Sequence, residues 1–233
     1  MMVITITGAS GGIGFELLKK CSQNENNLVI AVSRHTKTLE KWVQKENRFN
    51  VLVITADLTK ELHLKKIVKT LESLQLNLDV LVNNAGYLVN KNFESILPEE
   101  LEAVYKTNVF APFRLIQVLL PFMKNKSRGH IVNIGSMGGI QGVEKFPGLS
   151  AYSSSKAALA GLSECLALEL APRNIAVNCL ALGAVQTEML SKAFPGYKAP
   201  LSAERMAEFV YDFVRNGQHY FNGKILPVSL STP

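Results

Sequence analysis

Met2-Val3-Ile4-Thr5-Ile6-Thr7-Gly8-Ala9-Ser10-Gly11-Gly12-Ile13-Gly14 opens the chain with a short β-branched run, a glycine-rich turn and the start of a helix. The helix reads from about Gly12 to Asn24 and a second strand from Leu28 to Ser33, which makes a βαβ unit. The pattern repeats with a helix near Thr36 to Glu46, a strand Val51 to Thr55, a helix Thr59 to Leu74 and a strand Asp79 to Asn83. Next come one long helix from about Pro98 to Lys124, a strand Gly129 to Ile134, a helix Ser150 to Ala171 and a strand Ile175 to Ala181. A helix Ala203 to Asn216 and a strand Lys224 to Val228 complete the pattern. Alternation at this pitch predicts an α/β fold with a doubly wound, seven-stranded parallel sheet and helices on both faces.

The 233 residues, 47% of them apolar, suffice for one domain with a substantial core. No low-complexity stretch divides the sequence, so 1–233 is read as a single unit with a substrate loop at about 186–201. The longest apolar stretch, Leu115 to Met123, is interrupted by Gln117 and Pro121 and is too short for a membrane span of roughly 20 residues. The first strand begins almost at once, without a basic region and apolar segment before it, which points to the cytoplasm. Cys21, Cys165 and Cys179 have no metal-ligand spacing and read as small buried hydrophobes in a reducing compartment, so no metal is expected. The net charge of +6 is spread along helices, and only Lys124, Lys126 and Arg128 gather, as cations closing a helix. No nucleic-acid partner is expected.

In doubly wound sheets of the Rossmann type, ligands sit beyond the C-terminal ends of the strands. Suspicious residues fall there: Gly8, Ser10, Gly12, Ile13 and Gly14 after the first strand, Asp57 and Leu58 after the third, Asn84, Ala85 and Gly86 after the fourth, and Gly183, Val185 and Thr187 after the sixth. Glycines between a strand and a helix let backbone approach a pyrophosphate, with the helix N-terminus facing its charge. The second strand ends in Ser33 and Arg34 rather than a carboxylate, a pattern that accommodates a 2′-phosphate and favours NADP(H) over NAD(H). His35 or Lys37 would assist.

Tyr152 and Lys156 lie four residues apart, on one face of a helix. A phenol with an ordinary pKa of about 10 is a poor acid/base near neutrality, and an adjacent ammonium is expected to lower that value. Ser136, ending the fifth strand, offers a hydroxyl to the same place.

On these residues the chain resembles the short-chain dehydrogenase/reductases in their single-domain form. Thr7 to Gly14 matches the TGxxxGxG turn, Asn83 to Gly86 the NNAG segment, and Tyr152 with Lys156 the YxxxK pair. The resemblance implies that Asp57 and Leu58 border the adenine, that Asn84 to Gly86 support the sheet and the adenosine side, and that Thr187 touches the carboxamide. It also implies that Asn108 anchors a water beside Lys156, and that the chain pairs into homodimers or homotetramers through two helices. Leu182 stands where the family usually has proline, the Ser136–Tyr152 separation is longer than expected with 141–146 as the extra loop, and the segment 188–201 is short. A shallow or open pocket is expected, with Met137, Ile140, Val143, Phe146, Met189 and Phe194 at its mouth.

The expected function is NADP(H)-dependent reduction of a small-molecule carbonyl, whether ketone, aldehyde or 3-oxoacyl group, to an alcohol, with Asn108, Ser136, Tyr152 and Lys156 as the catalytic set. Two alternatives stay open: a redox sensor or scaffold that binds the dinucleotide and turns over little, and an NAD-dependent alcohol dehydrogenase.

Overall fold

The structure, a computed structural model, describes residues 1–124 and 128–230. Seven strands form one parallel sheet: β1 (Met2–Thr7), β2 (Asn27–Ser33), β3 (Val51–Thr55), β4 (Val80–Asn83), β5 (Gly129–Ser136), β6 (Ile175–Leu182) and, after a separate two-residue pair β7 (Val185–Gln186) and β8 (Leu201–Ser202), β9 (Ile225–Val228). Their order is β3-β2-β1-β4-β5-β6-β9, so the direction of winding reverses between β1 and β4. This is the doubly wound Rossmann arrangement predicted from the alternation. Pro227 is tolerated because β9 is an edge strand.

Successive strand residues point to opposite faces, and both faces are covered. Ile4, Ile6, Val82, Val132 and Leu180 pack under the helices α1 (Gly12–Ser22), α2 (Lys37–Lys45) and, far along the chain, the helix at Ala203–Tyr220. Val3, Ile30, Leu81, Ile131 and Val177 pack under α3 (Glu61–Ser73) and the helices at Ala111–Leu119 and Ser150–Glu169. Two-sided burial explains why the strands read as continuous apolar runs.

The long helix expected at 98–124 is broken. It consists of α4 (Pro98–Tyr105), a wide π-turn at Lys106–Phe110, α5 (Ala111–Leu119) and a 3-10 turn at Leu120–Phe122. The reason lies in Pro112, whose missing N–H leaves the Asn108 carbonyl without its helical donor, while the Ala111 N–H reaches back five residues to Lys106 O. The remaining helices are α6 (Ser150–Glu169), α7 (Glu188–Ala193) inside the segment 186–201, and α8 (Ala203–Tyr220), which runs four residues beyond its expected end at Asn216. No described helix is long and apolar enough to cross a membrane, and no described group of three or more His, Cys, Asp or Glu could hold a metal.

Cys21 and Cys179 are buried, but Cys165 is exposed, contrary to the expectation of three buried thiols. Of the basic cluster, Lys126 lies outside the described residues, and Arg128 donates to Gln218 O at 2.8 Å, capping the end of α8 rather than closing a helix of its own. Leu101, Phe110, Phe113 and Leu168 leave apolar surface exposed on the faces of α4 to α6.

His130 is fully buried at the start of β5. Its Nδ1 donates to Val214 O and its Nε2 accepts from Asn178 Nδ2, which fixes a neutral ring. Burial, with the nearby Arg128 and His219, pushes its pKa from 6.5 to about 4 despite the Val214 bond. The unfolded chain therefore takes up a proton that the folded chain resists, so this contribution is present above pH 6.5 and is lost as pH falls toward 4. The loss amounts to roughly 3 kcal/mol. Urea unfolding at pH 7.5 and 4.5 should show a steeper acid loss in the unaltered protein than in His130→Gln; parallel losses would contradict this account.

Candidate active site

The glycine-rich turn is built by close approach. Gly8 and Gly12 have φ of +65° and +54°, which side chains disfavour. A Cβ on Gly14 would fall 2.4 Å from both Asn84 Nδ2 and Gly8 O, and one on Gly12 would fall 3.3 Å from Thr187 Cγ2. A Cβ on Gly11 would meet nothing within 4 Å. The first turn of α1 has no side-chain cap and no acidic residue, so its N–H groups face an open, electropositive cradle. Chain, glycine and helix end thus fit a pyrophosphate.

Asn84 is committed to that turn: its Nδ2 donates to Thr7 O and Gly8 O, at 3.0 and 3.3 Å. Thr7 Oγ1 accepts from the N–H groups of Asn84 and Ala85. Thr7 had been singled out only as part of the turn, yet it ties β1 to β4. Ser10 and Ser33 share a hydrogen bond of 2.7 Å between their hydroxyls, and exposed Arg34 follows at the end of β2. The Asp57 carboxyl is nearby: partial burial raises its pKa, but hydrogen bonds from Thr59 and the charges of Arg34 and Lys60 prevail and hold it below the usual range. Leu58 is half-buried beside it, and His35 and Lys37 are exposed.

On the far side of the crevice, Lys156 Nζ donates to Ile134 O at 2.8 Å and lies 5.7 Å from the centre of the Tyr152 ring. The Ser136 hydroxyl lies beside the Tyr152 phenol and accepts from Gly138 N–H at 3.3 Å. Asn108, in the π-turn, accepts from Tyr87 N–H and donates to Tyr87 O and Ser155 Oγ. A Cβ on Gly86 would lie 3.6 Å from Asn108 Oδ1 and 3.7 Å from Lys156 Nζ, so the segment after β4 meets the catalytic candidates here.

The electrostatics differ from the expectation. Burial pushes the Tyr152 phenol up to about 12, with the Ser136 hydrogen bond acting the other way, and burial lowers Lys156 to about 8, offset in part by Cys179. Desolvation, not the ammonium, dominates the phenol.

Thr187 begins α7, and its Oγ1 accepts from Leu190 N–H at 3.2 Å. Val185 is buried, and its backbone pairs in register with Leu201 of β8. A Cβ on Gly183 would fall 2.3 Å from Ser229 Oγ, so the loop that lacks the usual proline is backed by the end of β9. At the mouth, Phe146 and Phe194 pack edge-on with centroids 6.5 Å apart, and Met137 is buried. Ser155 and Tyr87 were not anticipated. Ser155 is one of three consecutive serines and only its burial selects it, while Tyr87 contributes backbone groups that carry no residue signature.

The family model described as short chain dehydrogenase matches residues 2–198. The chain belongs to the short chain dehydrogenase family. An uncharacterized oxidoreductase of Bacillus subtilis, YxjF, is 35% identical over 190 residues, covering 81% of this chain and 72% of the relative. A 3-ketodihydrosphingosine reductase of Bacteroides thetaiotaomicron is 35% identical over 178 residues; the match covers 76% of this chain and only 61% of that relative's length. Among solved structures, the 3-ketoacyl-(acyl-carrier-protein) reductase of Brucella melitensis, complexed with NADH, superposes with a TM-score of 0.85 at 27% identity, over 97% of this chain and 96% of that one.

The contrast between glycines gives a test of the cradle. Gly14→Ala should destabilise the protein by about 1–3 kcal/mol, since clashes with backbone outweigh the gain in helix propensity. Gly11→Ala, in extended backbone with open space, should stay within about 0.5 kcal/mol. Thermal unfolding of both checks this, and equal effects would mean the close approach at Gly14 is not real.

Proposed function

We propose that the protein is an NADP(H)-preferring reductase that converts a carbonyl, whether ketone, aldehyde or 3-oxoacyl group, to an alcohol. The observation that carries this reading is the placement of the Ser136 and Tyr152 hydroxyls beside Lys156, across one crevice from the glycine cradle. Gly8, Ser10, Gly12, Ile13 and Gly14 would hold the cofactor's pyrophosphate side, Asp57, Leu58 and the 84–86 segment its adenosine, and Lys156, Gly183, Val185 and Thr187 its nicotinamide half. A bound nicotinamide supplies the hydride.

Ser136 orients the substrate oxygen, and Tyr152 gives it a proton. Burial makes the phenol a weaker acid, and the ammonium of Lys156 offsets part of that cost by stabilising the phenolate that donation leaves. Asn108 keeps the Tyr87 backbone and Ser155 in register beneath Lys156. Two proteins similar to this chain, the 3-ketodihydrosphingosine reductase and the 3-ketoacyl-(acyl-carrier-protein) reductase, are reductases of 3-keto compounds and support the same class.

Arg34 and the Ser10–Ser33 pair support NADP(H), since they set a guanidinium and two hydroxyls where a 2′-phosphate would lie. The second reading, NADH, is favoured by the NADH complex of the Brucella relative. The chain is proposed to work as one unit in the cytoplasm, in keeping with its free thiols, and as a homodimer or homotetramer that covers Phe110, Phe113 and Leu168. Sedimentation as a monomer would refute that assembly.

NADPH consumption on a carbonyl panel tests the reaction. Tyr152→Phe should lose roughly 10²–10⁴-fold in kcat while keeping the fold and cofactor affinity; full activity would remove Tyr152 from the mechanism. Tight NADPH binding with no turnover of any compound would favour the sensor reading. In the same assay Arg34→Ala should weaken NADPH roughly 10–100-fold and NADH far less, and equal losses would show that Arg34 does not read the phosphate.

A further inference from the structure

The short 3-10 turn that follows Ser136 is braced on two sides. On its inner side Met137–Gly139 packs on α6: a Cβ on Gly139 would fall 2.8 Å from Ala157 N, and one on Gly138 would fall 2.9 Å from Ser153 Oγ. Its outer side faces the segment 141–146, the extra loop noted in the sequence. From that loop Lys145 reaches back, and its Nζ donates to Gly138 O at 2.9 Å and also to Ile140 O. Gly138 is the residue whose N–H donates to Ser136 Oγ. The loop itself is held at its far end, where Phe146 meets Phe194, Lys91 N–H donates to Gly148 O at 3.1 Å, and Asn90 Nδ2 donates to Ala193 O at 2.6 Å.

We infer that Lys145 is a positioning residue, an ammonium staple that fixes the 137–140 turn and through it the direction of the Ser136 hydroxyl. A hydroxyl has one donor hydrogen and two acceptor lone pairs. With the Gly138 N–H on one lone pair, the Ser136 hydrogen and its second lone pair are left for the reacting oxygen and the phenol. Two adjacent glycines, Gly138 and Gly139, give this turn backbone freedom that packing on α6 restrains from one side and Lys145 restrains from the other. One ammonium on two carbonyls supplies charge-assisted hydrogen bonds that a neutral residue would not. The catalytic consequence rests on the carbonyl reduction proposed above; the ordering of the turn does not.

Two arms test the inference. In the first, hydrogen exchange of the peptide spanning 137–146 is followed in the unaltered protein, Lys145→Met and Lys145→Arg. Exchange should rise roughly tenfold in Lys145→Met and stay near the unaltered rate in Lys145→Arg, which keeps the donors. In the second, kcat is measured for Lys145→Met with Ser136 intact and in a Ser136→Ala background. The lysine variant should lose roughly tenfold in kcat, with cofactor affinity unchanged, when Ser136 is present, and less than about twofold when it is absent, because the lysine acts through the serine. Unchanged exchange, or the same loss in both backgrounds, overturns the inference. If the unaltered protein shows no Tyr152-dependent turnover, the proposed reaction fails instead, and the exchange arm alone decides the role of Lys145.

Discussion

The hydrogen bond from Lys156 Nζ to Ile134 O fixes how α6 lies on the sheet, and the crevice depends on it. An ammonium taken out of water costs several kcal/mol unless polar partners replace its hydration, and the drop of Lys156 to about 8 records that cost. The strand carbonyl and the face of the Tyr152 ring supply part of the replacement. Because Tyr152 and Lys156 share one helical face, holding the lysine on β5 also holds the phenol over the end of the same strand, where Ser136 stands. Two turns farther along α6, Ser163 accepts from Asn133 Nδ2, and Asn133 accepts from Asn83 Nδ2, so a buried polar line repeats the attachment across β4 and β5. Helix and sheet are therefore locked at two heights, and rotation about the helix axis is blocked.

The same burial sets the chemistry. Desolvation raises the phenol and lowers the ammonium, moving the two groups toward a state in which the tyrosine carries its proton and the lysine gives it up more readily than usual. The family's fold delivers the parts, and burial sets the protonation state in which phenol and ammonium rest.

Much of this was legible in the residues. The order of strands and helices followed from apolar runs between turn signals, and the crevice followed from glycines, asparagines and hydroxyls that cluster at strand ends. The break in the helix at 106–110 was less visible, because apolar periodicity continues through it; Pro112 was the available clue, since its effect falls four residues earlier, at Asn108. Ser155 and the backbone of Tyr87 could not be singled out, because their importance comes from burial and from main-chain groups that every residue carries. The expected lowering of the Tyr152 pKa fails for a related reason: spacing gives the distance from phenol to ammonium but not the desolvation that outweighs it. The tie from Lys145 to Gly138 belongs to the loop 141–146, where sequence shows extra length and only the fold shows where it returns.

The most direct test of the central claim is the fate of the hydrogen itself. NADPH carrying deuterium at the transferring position should be incubated with a panel of ketones, aldehydes and 3-oxoacyl thioesters, and the products read by mass spectrometry. The account predicts an alcohol bearing the deuterium on its carbinol carbon, formed with a primary isotope effect or at least with full label retention. Consumption of the cofactor without label in any alcohol, or saturable binding with no alcohol formed, would contradict it.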